Sequence, residues 1–185
     1  MLITTSRKPS PRTRTFAGSL GKILHFKYVS RGKMSMRDVL IKSKASGYQK
    51  TAVVSQIKGN PSRIEIFDPD GSALCTADVT ISNPRGSGRT IKKDLCLRWD
   101  LDESEYKSRL IKLIGLPEEG RIIRKAKENH ISSNLVHIKY GKGGKALVEF
   151  YDRDGQITGS NIYIRKCQTG DFDASNGGDA VSDRI

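Results

Sequence analysis

The sequence predicts an α/β fold built from two similar halves, each with a mixed sheet and packed helices. Three observations carry this. First, Ile64-Glu65-Ile66-Phe67-Asp68-Pro69-Asp70-Gly71 and Val148-Glu149-Phe150-Tyr151-Asp152-Arg153-Asp154-Gly155 follow one pattern, 84 positions apart. Each is preceded by a short apolar run and a Gly-containing turn, Ile57 to Pro61 in one case and Ile138 to Gly144 in the other. Second, period-2 runs alternate with helix-period runs along the chain, the signature of α/β architecture. Third, 185 residues with 36% hydrophobic content can bury a sizeable core as one domain or two tightly joined halves. A repeat at this distance is not a solenoid, whose units would be shorter and more numerous. The halves are expected at roughly 1–88 and 89–167. Residues 168–185 are rich in Gly, Ser, Asn and Asp, with four Asp against one Arg, and are expected to form a flexible acidic tail.

The elements follow in order. Leu2 to Thr5 reads as a short strand entering a loop. Ser10-Pro11 starts a helix, because Ser caps free amides and Pro at the first helical position gives up only an unused donor. Phe16, Ala17, Leu20, Ile23 and Leu24 then fall on one helical face. A second helix follows Ser35, with Asp38 three residues on in a capping-box arrangement and Gly47 as the stop. Strands are predicted at 49–56, 63–67, 74–81, 94–98, 135–140, 146–151 and 157–165, and a further helix opens near Asp102 and Glu105 and runs to Gly115.

Charge is distributed very unevenly. Up to Asn60 the chain carries 13 Lys and Arg against one acid, Asp38, and beyond it 20 against 19, so +12 of the net +13 sits in the first third. Concentrated cations neutralise several phosphates at once and release their counterions, the main sequence-independent source of nucleic-acid affinity. The alternative, a solvated basic leader, fits less well because the densest segment, Ser6 to Arg14, leads directly into an amphipathic helix. Arg12 and Arg14 stand in its first turn, where the helix dipole favours anions, and a bound phosphate resolves that conflict.

The run Thr4 to Leu20, TTSRKPSPRTRTFAGSL, followed by Ser30-Arg31-Gly32-Lys33-Met34-Ser35, resembles the start of archaeal Brix-domain proteins, single-domain relatives of the eukaryotic Brix ribosome-biogenesis factors. The resemblance is specific in this first part and diffuse afterwards. It implies a Brix-like fold whose halves are each similar to the anticodon-binding domain of some aminoacyl-tRNA synthetases. It also implies a role in ribosome assembly through contact with precursor ribosomal RNA and pre-ribosomal particles. The motif covers Ser6, Arg7, Lys8, Pro9, Arg12, Arg14, Arg31, Gly32 and Lys33.

Other chemistry is weakly signalled. His25, His130 and His137 have no nucleophilic or metal-ligating spacing. Asp68/Asp70 and Asp152/Asp154 read as turn residues rather than metal ligands. Cys75, Cys96 and Cys167 form no Cys-x-x-Cys pair and read as buried thiols. The Gly-rich basic loops 83–89 and 141–145 match no nucleotide-binding fingerprint, although Arg85, Arg89, Lys92, Lys93, Arg121, Arg124 and Lys125 are candidates to extend a cationic surface. There is no apolar run of eighteen residues and no signal-peptide pattern, so a cytoplasmic protein without membrane contact is expected. The reading is a non-enzymatic, cofactor-free and metal-free binder of precursor ribosomal RNA. Its RNA-binding residues are Ser6, Arg7, Lys8, Ser10, Arg12, Arg14, Arg31 and Lys33, and its protein partners are unidentified. A resident ribosomal protein and an RNA-processing enzyme are the rival readings.

Overall fold

The computed structural model describes residues 1–82, 95–101, 109–111, 113, 134–142 and 146–169. The elements are β1 (Leu2–Thr5), α1 (Pro11–Ile23), β2 (Lys27–Tyr28), α2 (Met36–Ala45), β3 (Thr51–Ile57), β4 (Asn60–Phe67), β5 (Ala73–Ser82), β6 (Leu95–Asp100), β7 (Asn134–Tyr140), β8 (Ala146–Tyr151) and β9 (Asn161–Thr169). All nine strands form one mixed sheet in the order β2-β1-β3-β4-β5-β9-β8-β7-β6.

The strand pattern occurs twice. β1 pairs parallel with β3, and β3, β4 and β5 continue antiparallel; β6 pairs parallel with β7, and β7, β8 and β9 continue antiparallel. β5 and β9 then zip together antiparallel from Cys75↔Thr169 to Ser82↔Asn161, so the two sets share a single sheet rather than forming one each. The repeated turn is built identically in both. The Asp68 carboxylate accepts the amides of Asp70 and Ser72, and the Asp152 carboxylate accepts those of Asp154 and Gln156. Gly71 and Gly155 supply the left-handed backbone each turn requires, at φ 97° and 73°.

Local sequence explains both helices. Ser10 caps α1 by accepting the Thr13 amide at 3.1 Å, with Pro11 at the first helical position. Phe16, Ala17, Leu20 and Ile23 bury one face of α1 against the sheet. Gly21 allows that approach, since a Cβ there would stand 3.2 Å from Ile3 Cγ2 and 3.3 Å from the Phe26 carbonyl. In α2 the Ser35–Asp38 capping box is complete, and the helix ends in a Schellman motif in which the Tyr48 amide donates to Ser43 and the Gly47 amide to Lys44.

The apolar core runs through the sheet as one cluster, from Ile3, Phe16 and Leu20 through Ile66, Ala77 and Ile162 to Val136, Phe150 and Leu110. Cys75 and Cys167 meet inside it with their sulfurs 3.7 Å apart. Several strand boundaries shift by one to four residues from the sequence expectation; β4, for one, begins at Asn60 rather than 63. β9 begins at Asn161 and runs to Thr169, two residues into the expected acidic tail, whose remainder lies outside the described residues. Ile157, expected to open this strand, instead makes only an isolated bridge to Tyr151, because left-handed Gly159 (φ 72°) intervenes.

Candidate nucleic-acid interface

β1, β2 and β3 are parallel, and their carboxyl ends define one rim of the sheet. Three connections leave from this rim: residues 6–10 into α1, 29–35 into α2, and the β3–β4 turn. Open α/β sheets bind ligands at the carboxyl ends of their parallel strands, where helix N-termini also gather. Every sequence-predicted binding residue lies on one of the first two connections or in the opening turn of α1.

A compact hydrogen-bond cluster fixes the rim. The Gln56 side chain accepts the Ser10 amide and the Thr13 hydroxyl, both at 2.8 Å, and its amide group donates to the Lys8 carbonyl at 3.5 Å. The Ser10 hydroxyl donates to the Gly59 carbonyl at 2.7 Å while accepting the Thr13 amide. The Ser10 hydroxyl thus has a structural role on this rim, capping α1 and tying it to the β3–β4 turn. Ser6 is half-buried and extends β1 by donating its amide to Val54. Lys8 adopts a left-handed backbone, φ 49°, unusual for a residue with a side chain.

The cations on this rim lean on neutral acceptors. Arg12 donates to Asn60 Oδ1 at 2.6 Å and to the Ile81 carbonyl at 3.4 Å, and Arg14 donates to the Pro9 carbonyl. Arg31 donates to the carbonyls of Met34 and Thr5. Burial lowers the Arg31 pKa from its ordinary value, and the nearby Arg7 charge lowers it further. Arg7, Lys8 and Lys33 are exposed. None of these six cations is ion-paired with a carboxylate among the described residues. Asp38, the single acid of this region, is committed to the Ser35 amide and hydroxyl at 2.8 Å each, and those bonds lower its pKa. An anion binding here would meet several positive charges, none of them held in an ion pair among the described residues.

The second set of strands carries a different polar system, one with no signal in residue spacing. His137 Nε2 lies 2.7 Å from Asp100, which also accepts from Arg98 at 3.1 Å. Glu149 accepts from Lys139 at 2.7 Å and from the Tyr151 hydroxyl. Burial favours protonation of Glu149, but the Lys139 and Tyr151 bonds outweigh it and hold the pKa low; burial and Glu149 together push the Tyr151 hydroxyl up to about 12. Spacing could not reveal the Asp100–His137 pair, since the two residues meet only through the parallel β6–β7 register. Among the described residues no three His, Cys, Asp or Glu side chains cluster as metal ligands, and no helix is long and apolar enough to cross a membrane. The candidate cations Arg85, Arg89, Lys92, Lys93, Arg121, Arg124 and Lys125 lie outside the described residues.

Comparison with known proteins agrees with the motif. A probable Brix domain-containing ribosomal biogenesis protein of Methanothermobacter thermautotrophicus is 52% identical over 100 residues, covering 52% of this chain and 62% of the relative. One from Methanococcus maripaludis is 36% identical over 93 residues, covering 50% of this chain and 54% of the relative. The matches thus span between half and two thirds of these curated relatives. Among solved structures, an archaeal Imp4-like protein superposes with a TM-score of 0.71 and 30% identity, over 92% of this chain and 100% of that one.

The chain belongs to the archaeal Imp4-like, Brix-domain family of ribosomal biogenesis proteins.

No protein-family model matches the sequence. The fold of this Brix-domain protein is shared with a probable ribosomal biogenesis protein of Aeropyrum pernix, with a TM-score of 0.66 and 21% identity over 88% of this chain and 93% of that one.

Proposed function

We propose that this Brix-domain protein is a non-catalytic assembly factor that grips precursor ribosomal RNA in pre-ribosomal particles by its phosphate backbone. The grip is made at the rim where α1 and α2 begin. One observation carries the reading: Arg7, Lys8, Arg12, Arg14, Arg31 and Lys33 converge on that rim without a described carboxylate paired to any of them. The contacts are electrostatic, so rearrangement of the RNA backbone during maturation releases the protein without chemistry. The reading places it in the cytoplasm with the ribosome precursors.

The test is a salt titration of binding to a precursor ribosomal RNA transcript. Replacing Arg12 and Arg14 together with Ala removes two phosphate contacts. The slope of log affinity against log salt should then shrink by about 1.4 to 1.8, at roughly 0.7 to 0.9 per contact. Parallel slopes for variant and parent would refute the assignment.

A further inference from the structure

The β3–β4 turn contributes nothing to the family motif, yet it stands on the same rim and its sequence opposes its own stability. Lys58 and Gly59, its two central residues, both have left-handed backbone, φ 49° and 78°. This is the two-residue hairpin geometry that Asn-Gly or Gly-Gly adopts readily, whereas Lys at the first position is strained. Immediately before it, Ile57 leaves 64% of its surface exposed, the most of any large apolar side chain among the described residues.

A single exposed Ile on a surface is ordinary. This one sits beside a strained Lys, in a turn that is clamped rather than loose. Ser10 Oγ donates to the Gly59 carbonyl at 2.7 Å, and Arg12 donates to Asn60 Oδ1 at 2.6 Å. The clamp holds Ile57 and Lys58 in fixed register with Arg12 and the amino end of α1. An apolar surface set among phosphate-binding cations suits the face of a nucleobase. A continuous stacked helix hides its base faces, whereas an unpaired base that has left its stack offers one.

We propose that the Ile57–Lys58 turn is a second contact element: Ile57 packs against an unstacked, unpaired base and Lys58 takes the phosphate next to it. The RNA recognised is then a duplex interrupted by a bulge or loop, not a continuous helix. This rests on the phosphate-binding reading above, but its signature is separable, because an apolar contact is insensitive to salt whereas a phosphate contact is not.

The experiment measures binding of the full chain to two RNA hairpins that differ only by a single-nucleotide bulge, across a salt series, with parent, Ile57→Ser, Lys58→Asn and the Arg12/Arg14 double Ala variant. The parent should prefer the bulged hairpin. Ile57→Ser should weaken bulged-RNA binding by about fivefold, the effect of covering roughly half an Ile side chain, with duplex binding and salt slope unchanged. Lys58→Asn should raise the thermal midpoint by relieving strain while lowering the slope by about 0.7 to 0.9. Bulged-RNA binding by Ile57→Ser equal to the parent's, or an unchanged slope for Lys58→Asn, overturns the proposal. If the Arg12/Arg14 variant alone is weakened, the phosphate site stands and the turn contact falls. If that variant also binds as the parent does, the phosphate reading itself has failed and this proposal falls with it.

Discussion

Replacing Ser10 with Ala separates the two roles a serine on this rim can have. Its hydroxyl accepts the Thr13 amide as the cap of α1 and donates to the Gly59 carbonyl at 2.7 Å. Loss of an N-cap costs about 1 kcal/mol, and loss of a hydrogen bond to a half-buried carbonyl about another 1 kcal/mol. Two contacts to one atom are not strictly additive, so about 2 kcal/mol is the upper end. For a chain of this size that corresponds to a fall in thermal midpoint of roughly 4 to 8 °C. Calorimetry gives the midpoint, and a salt titration of RNA binding well below it gives the functional readout. The salt slope should stay at the parental value, because no cation is lost, and affinity should fall only modestly as the turn loosens against α1. Preserved stability together with a large loss of RNA affinity would show the hydroxyl to be an RNA ligand and the capping account to be wrong.

Two further outcomes follow from the second set of strands. Lys139→Met removes the partner of Glu149, whose pKa is depressed in the folded protein. A depressed carboxyl stabilises above its unfolded pKa and loses that contribution as pH falls through its folded pKa. Urea unfolding should therefore show Lys139→Met less stable than the parent by about 1–3 kcal/mol at pH 7, with the gap narrowing at pH 3; an equal gap at both pH values would refute the ion-pair account. Gly159→Ala should cost about 1–2 kcal/mol in the same measurement, because φ is 72° there, a left-handed backbone that a Cβ disfavours, while Ile23 Cδ1 must also move aside. A neutral result would mean that residue 159 does not hold the left-handed backbone.

Features set by neighbouring residues were legible in the sequence. The Ser10-Pro11 start, the Ser35–Asp38 box, the Gly47 stop and both Asp-x-Asp-Gly turns depend on residues no more than a few positions apart, and each forms as its side chains dictate. Features fixed by distant pairing were not. Two residues are too few for β2 to show a period, and Lys27–Tyr28 joins the sheet only because β1 is already there to pair with it. In β9 the register shifts between Asp78 and Val79 of its partner, leaving Arg165 between the paired residues Ile164 and Lys166 and breaking the alternation a strand normally displays. The rim cations were legible as a charge run, but the fate of Ser10 was not, because Gly59 and Gln56 reach it from more than forty residues away. The contribution of Lys58 had a local signal, a Lys-Gly pair at a hairpin turn where Asn-Gly is the relaxed choice.

The two copies of the repeat show why the charge asymmetry has functional content. In the second copy three described cations pair with its own carboxylates, Arg98 with Asp100, Lys139 with Glu149 and Arg153 with Asp154, and His137 lies within hydrogen-bond distance of Asp100. In the first copy pairing is confined to places away from the rim, Lys44 with Asp70 at the far end of α2 and Arg63 with Asp78 in the body of the sheet. Even the shared Glu differs. Glu149 is held ionised by Lys139 and Tyr151, whereas burial raises the pKa of Glu65, and Arg63 and Ser55 only partly oppose it. A cation already paired with a carboxylate must give up that partner to reach a phosphate, and the exchange returns little energy. A cation resting on a neutral carbonyl keeps its full charge and gives up only a weak hydrogen bond. On one repeated strand pattern, the first copy thus leaves its rim cations without a carboxylate partner among the described residues, while the second copy commits Arg98 and Lys139 to carboxylates on its own strands.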